Sequence, residues 1–293
     1  MPRPDFTYDW NAEPQDLKSG RGTAGYPIIG PSLIDKGDNP FGALGDLADS
    51  MTFGNVHAYY SSRNPGTVGW GGRAAAPCEA WRYGSTGYNL CNARRVSGAK
   101  PIVATETGWG TDVTLQDHVP ESIQAKYLAR MLLLHFNAGV RRTFIYQFMD
   151  AGRNSFNAYG LVTETGREKP SFVELKNLIG LLRDSSGASM TGRLPFALAG
   201  NTADIQTTIL RKSDGSFRAI LWIEKPGFDP ISRTPVAVAP SRITVHFSGA
   251  SNVRTISTFQ DNGSVRVTTP PRASSGAYSL DITDNLTVVD VTG

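Results

Sequence analysis

The chain has 293 residues, 40% hydrophobic and 19% charged, and its 29 Lys and Arg against 26 Asp and Glu leave a net charge of +3. That length suits one large domain or two ordinary ones, in a composition typical of globular proteins. Basic residues are scattered and acidic runs are absent, which argues against a nucleic-acid or membrane-surface role, and no apolar stretch approaches the ~20 residues of a membrane helix.

The opening MPRPDFTYDW lacks the charged-then-apolar layout of a signal peptide. GYPIIGPSL (25–33) reads as a strand closed by a Gly-Pro turn, NPFGALGDLADSM (39–51) has short helical periodicity, and TFGNVHAYY (52–60) is again a strand. Cys78 and Cys91 lie in a loop-rich stretch with no neighbouring Cys or His to make a metal site. They form either a disulfide, which suits a secreted protein, or two half-buried thiols. Residues 81–97 read as a helix, and PIVATETG (101–108) as the next strand.

The segment 119–140 carries the strongest helical pattern. Ile123, Tyr127, Met131 and Leu134 fall on one face, Leu128 and Leu132 lie beside them, Pro120 marks the start and Gly139 the stop. RTFIYQFMD (142–150) returns to a strand, and 171–184 repeats Phe172, Leu175, Ile179 and Leu182 at helical spacing. Strands alternating with helices imply parallel β/α units.

After residue 185 helical patterns give way to short strands. IQTTILRK and FRAILWIE flank Ser213-Asp214-Gly215, whose Asp-Gly step signals a hairpin; RITVHFS, NVRTISTF, SVRVTT, AYSLDI and LTVVDV follow at short spacing. The expected architecture is therefore α/β over 1–185 and an antiparallel β-sandwich over 186–293. The first part holds four β/α units, with strands at 26–34, 52–60, 101–107 and 142–149. That is half of what an eight-fold barrel needs. Pattern alone allows an open four-stranded sheet or part of something larger.

In order, IIGPSL, NVHAYY, PIVATETGWGT and FIYQFMD resemble strands five to eight of a clan A glycoside hydrolase, of the family 39 or family 5 sort. KPSFVELKNLIGLL resembles that barrel's last helix, and residues 186–293 fit the β-sandwich side domain that several such families carry. The resemblance implies a partial (β/α)8 barrel, a carbohydrate substrate and no cofactor. The clan's nucleophile is a glutamate ending strand seven, which carries over to Glu106. Retaining enzymes pair such a carboxylate with a carboxylic acid about 5–5.5 Å away. Strict alternation puts Ile102, Ala104 and Glu106 on one face of the strand. The competing reading of Glu106 is a solvated strand-end residue in a salt bridge.

His57 and Tyr59 share a face of their strand. The resemblance implies that they hydrogen-bond the nucleophile; the alternative is a core histidine and a packing tyrosine. Trp109 and Trp70 are candidates for stacking on a sugar ring, and Gln147 for a ring-hydroxyl contact. Asp150 and Arg153 are weaker rim candidates. His118, His135 and His246 read as structural.

The clan's acid/base is a Glu in an Asn-Glu pair ending strand four. Upstream of Tyr26 the acidic residues are Asp5, Asp9, Glu13 and Asp16. In Asn11-Ala12-Glu13 an extra Ala separates the pair, no apolar strand precedes it, and too few residues follow for a crossover helix. Glu13 is therefore not expected to be the acid, and the chain reads as the C-terminal portion of a longer, secreted glycosidase. Its expected partners are a carbohydrate and either a missing N-terminal half or a second copy. The rivals are a non-catalytic carbohydrate-binding protein and an open α/β enzyme of unrelated chemistry. The latter is weakened by the lack of a nucleotide-binding glycine signature or a Gly-x-Ser-x-Gly elbow.

Overall fold

A computed structural model of the chain describes residues 25–34, 40–66, 74, 76–152, 157–184, 192–248, 252–271 and 276–292. Glu13, Trp70, Arg153 and the expected boundary at 185/186 lie outside the described residues.

Three strands, β1 (Gly54–Tyr59), β2 (Ile102–Gly108) and β3 (Arg142–Thr143), form a parallel sheet in that order. A short helix α1 (Pro40–Leu44) precedes β1, and α2 (Thr86–Ser97), α3 (Glu121–Asn137) and α4 (Pro170–Leu182) follow the three strands in turn. The helix expected over 81–97 starts at Thr86 because Ser85 caps it, its hydroxyl accepting from the Tyr88 amide (3.3 Å). Val56, Ala58 and Tyr60 alternate toward the helices. With Ile102 and Ala104 they pack on Leu90, Ala93, Ile123, Tyr127, Leu128 and Met131. Asn55, His57 and Tyr59 thereby point to the opposite face of the sheet.

The outer strands are shorter than expected. The strand predicted over 26–34 is reduced to one parallel bridge between Ile29 and Phe53, held by the Gly30 amide on the Phe53 carbonyl (2.8 Å). The strand predicted over 142–149 has two ladder residues. Its pairing with β2 nevertheless continues through Phe144 N to Ala104 O and Tyr146 N to Thr107 O, both 2.8 Å. Beyond Tyr146 this segment leaves β2 and pairs instead with residues 159–162, through Val162 N to Phe148 O (3.0 Å) and a parallel bridge between Met149 and Val162. Among the described residues the sheet does not close, and Ile29, Phe144, Phe148 and Met149 leave apolar side chains exposed at its two edges.

The C-terminal part is antiparallel. A five-stranded sheet runs β11 (Val265–Thr268), β10 (Asn252–Phe259), β13 (Thr287–Thr292), β6 (Phe217–Ile223), β5 (Ile205–Arg211). A three-stranded sheet runs β12 (Ala277–Ile282), β9 (Ser241–Phe247), β4 (Phe196–Gly200). The Asp-Gly signal is confirmed as the β5–β6 hairpin, with Gly215 at φ +82°. Strand β4 and the small β7–β8 pair (Phe228–Asp229, Thr234–Pro235) were not anticipated.

Strand β6 is buried on both faces. Phe217, Ala219, Leu221 and Ile223 share a core with Ile243, Val245 and Phe247 of β9 and Leu280 and Ile282 of β12. On its other face, Ile220 and Trp222 pack with Phe259 and Val288 against Ala129 and Leu133 of α3 and Leu178 of α4. This double burial is why FRAILWI reads as a nearly unbroken apolar run. It also places α3 between two sheets, with Arg130 fully buried there, its Nη1 donating to the Ile223 and Lys225 carbonyls (2.9 and 3.1 Å).

Candidate active site

Glu106 lies near the C-terminal end of β2. Register between β1 and β2 pairs Val56 with Ala104 and His57 with Glu106, so Thr105 is an extra residue on β2. Such a bulge breaks the alternation. Thr105 and Glu106 both reach the polar residues of β1, whereas Ile102 and Ala104 face the helices. The expectation that Glu106 shares a face with Ile102 and Ala104 is corrected on this ground: the inserted residue turns the carboxylate to the other side.

The Tyr59 hydroxyl donates to Glu106 Oε2 (2.9 Å), and His57 Nδ1 stands 3.4 Å from the same oxygen. The carboxylate is 40% exposed and His57 14%. On the other side of the imidazole, Nε2 meets Thr105 Oγ1 at 2.9 Å, and Thr105 Oγ1 donates to Asn55 Oδ1 (2.7 Å). The Asn55 amide donates to the Gly30 carbonyl (3.1 Å) and to Ser32 Oγ (2.7 Å). A continuous polar chain thus runs from Ser32 through Asn55, Thr105 and His57 to Glu106.

Burial and the bond to Glu106 push the Tyr59 phenol well above its ordinary range, so it stays a protonated donor. Burial pushes the His57 imidazole below its ordinary value, with the Glu106 carboxylate pulling the other way. Tyr159, whose ring meets Tyr59 edge-on at 5.9 Å and Tyr146 at 6.0 Å, is pushed up to about 12 by burial. The wall is close-fitting: a Cβ on Gly108 would collide with the carbonyl oxygen of Tyr146.

Trp109 does not present its ring as expected. It is fully buried, stacked on Tyr60 at 4.9 Å and 9°, and its Nε1 donates to the Arg63 carbonyl (3.0 Å). An indole so enclosed has no face for a sugar; the aromatic residue that follows β2 belongs to the core. Gln147 is half-buried and donates to the Asn157 carbonyl (3.2 Å). Asp150 is tied to the buried Lys169, whose Nζ also donates to Thr111 Oγ1 (2.8 Å). It borders a polar cavity of about 820 Å³ whose lining includes Thr111, Glu121 and Arg167 but not Glu106. Glu106 lies apart from that cavity, its carboxylate accepting from the Tyr59 hydroxyl and facing His57. His118 accepts from the Asp112 amide, and His135 lies buried between Tyr60 and Thr143, as structural residues do.

Asn55 and Thr105 were missed from sequence. Asn55 was reachable, since Asn-x-His-x-Tyr alternates along β1; nothing marked the bulge that brings in Thr105. Among the described residues, the Tyr59 hydroxyl bonds Glu106 and the His57 imidazole faces it at 3.4 Å, and neither is a carboxylic acid. No group of three or more His, Cys, Asp or Glu suited to a metal occurs among the described residues. Cys78 and Cys91 form a disulfide, and no helix of the described residues is long and apolar enough to cross a membrane.

No protein-family model matches the chain, and no curated protein does. Solved structures do. A family 44 xyloglucanase from Paenibacillus polymyxa aligns over 96% of this chain and 59% of its own, at 10% identity and TM-score 0.51. The family 51 arabinofuranosidase of Xanthomonas axonopodis pv. citri (14% identity) and the family 51 α-L-arabinofuranosidase of Thermotoga petrophila (12%) each align over 90% of this chain and 57% of theirs, at TM-score 0.50. The chain shares the fold of these glycoside hydrolases and spans less than two thirds of their length.

Proposed function

We propose that the chain is the C-terminal portion of a retaining O-glycosidase acting on an oligo- or polysaccharide, with Glu106 as its nucleophile. The observation that carries this reading is the hold on Glu106: a carboxylate near the C-terminal end of a parallel strand, gripped by the Tyr59 hydroxyl and faced by His57. That end of parallel strands is where β/α folds place chemistry. The shared fold of the xyloglucanase and the arabinofuranosidases supports the substrate class.

In this reading residues 1–185 are the last four β/α units of a barrel and 186–293 a β-sandwich that buttresses it through α3 and α4. The exposed apolar edges at Ile29 and Phe144 are where the remaining barrel, or a second copy, would pack. Gln147 and Trp70 remain candidates for sugar contact, and the Cys78–Cys91 disulfide supports an extracellular setting.

The chemistry of this reading is that of a retaining glycosidase. Glu106 attacks the anomeric carbon while the bond to the leaving oxygen breaks, giving a glycosyl ester that water later hydrolyses. Tyr59 keeps Oε2 aimed and remains protonated throughout. In this reading the general acid lies in the missing half, so a leaving group that needs a proton departs slowly, since general acid catalysis contributes about 10²–10⁴-fold. An aryl glycoside with an acidic phenol needs no proton. The test is hydrolysis of a panel of activated aryl hexosides and pentosides by the wild-type chain and Glu106→Gln. Turnover lost in the variant supports the proposal; turnover equal in both, or normal rates on plain polysaccharide in both, contradicts it.

A further inference from the structure

The proton positions in the chain from Ser32 to Glu106 follow from elimination. The Gly30 carbonyl can only accept, so the Asn55 atom facing it at 3.1 Å must be the amide nitrogen. That leaves Asn55 Oδ1, an acceptor, opposite Thr105 Oγ1 at 2.7 Å. The single hydroxyl proton of Thr105 is therefore committed to Asn55, and toward His57 the hydroxyl offers only a lone pair. At 2.9 Å from it, His57 Nε2 must carry a proton. In the neutral imidazole Nδ1 is then bare, and it faces Glu106 Oε2 at 3.4 Å.

We propose that Asn55 and Thr105 are positioning residues that lock His57 in the Nε2-protonated tautomer, so that His57 can donate to Glu106 only as an imidazolium. The carboxylate then has two regimes. With His57 protonated, Oε2 is held by Nδ1–H and by the Tyr59 hydroxyl. With His57 neutral, two lone pairs face each other and Tyr59 alone holds the nucleophile. Burial of the imidazole opposes its protonation and the Glu106 charge favours it, and the switch sets where between them the anchor is made. The other titratable groups around the pair are Tyr146, Tyr59 and Tyr159, and burial pushes the last two up, which keeps them protonated donors. The consequence for catalysis rests on the glycosidase reading; the proton positions do not.

The test is long-range 1H–15N correlation of the imidazoles in the intact chain as a function of pH, with the four histidines assigned by substitution. Wild-type His57 is expected to show a protonated Nε2 and a bare Nδ1 above its titration. Thr105→Val frees the imidazole to place its proton on Nδ1 toward Glu106 and removes a partner of the imidazolium, so the tautomer changes and the midpoint falls. Thr105→Ser restores hydroxyl, tautomer and midpoint. Neutral wild-type His57 found protonated on Nδ1 would overturn the proposal without any variant, as would Thr105→Val with an unchanged tautomer. These readouts need no turnover, so they separate failure of the lock from failure of the glycosidase reading.

Discussion

The Tyr59 hydroxyl and the Glu106 carboxylate meet across neighbouring strands at 2.9 Å, and the phenol is a donor that does not titrate in the working range. A hydrogen bond to a charged group contributes about 1.5–3 kcal/mol, toward the lower figure where the acceptor is as exposed as Glu106. Tyr59→Phe removes the donor and keeps the ring that meets Tyr159 edge-on. The rate of aryl-glycoside cleavage should fall about tenfold with little change in melting temperature. A fall in melting temperature with unchanged rate would mean that Tyr59 only packs.

Acid should weaken the fold through His135. This ring is buried between Tyr60 and Thr143, and burial lowers its value to about 4 from an ordinary 6.5. Between those values the unfolded chain takes up a proton that the folded one refuses. Stability is therefore full above pH 6.5 and falls as pH drops toward 4, by on the order of 3 kcal/mol. In urea melts, His135→Gln should flatten that slope; an unchanged slope would place the acid sensitivity elsewhere.

Glu174 of α4 has the opposite sign. It is fully buried, and neither of its carboxylate oxygens has a hydrogen-bond donor among the described residues. Burial, the leading cause, raises its value to about 8 against the lowering pull of Arg130 and Lys126. A raised value means stability that is full below pH 4.5 and lost as pH climbs through 8. Keeping the proton at pH 7 costs on the order of 3 kcal/mol. Glu174→Gln should be more stable than wild type at pH 8 and nearly equal to it at pH 4; a variant less stable at both would contradict this.

The open edges of the parallel sheet bear on association. Phe144, Phe148 and Met149 at one end of the described sheet and Ile29 at the other are exposed apolar groups. Light scattering on the purified chain should give a mass above that of a 31.6 kDa monomer. Phe144→Lys with Phe148→Lys should lower it. A monomer with a cooperative melt would mean that the first part closes on its own.

Helix α3 shows how far sequence carries. Its periodic apolar residues named the helix, but Arg130 and Lys126 look solvent-facing in a linear pattern and are buried because a second sheet covers that side. Such cover comes from residues 93 to 158 positions away, beyond any local window. The site divides in the same way. His57, Tyr59 and Glu106 were legible as polar residues in strand-like runs, and the structure brings them together. The bulge at Thr105 was not, because it arises from strand register. Trp109 was misjudged because a polar turn before it suggested exposure, while Tyr60 and Tyr127 enclose its ring.

The central claim, that Glu106 is a nucleophile, is tested most directly by trapping its ester. The chain would be incubated with 2-deoxy-2-fluoro glycosides, hexosyl and pentosyl, bearing a leaving group that departs unprotonated. Intact mass and peptide mapping then read the product. The account predicts one glycosyl unit bound to the peptide containing Glu106, and none in Glu106→Gln. An adduct on another residue, or no adduct from any of the sugars with a folded chain, would contradict it.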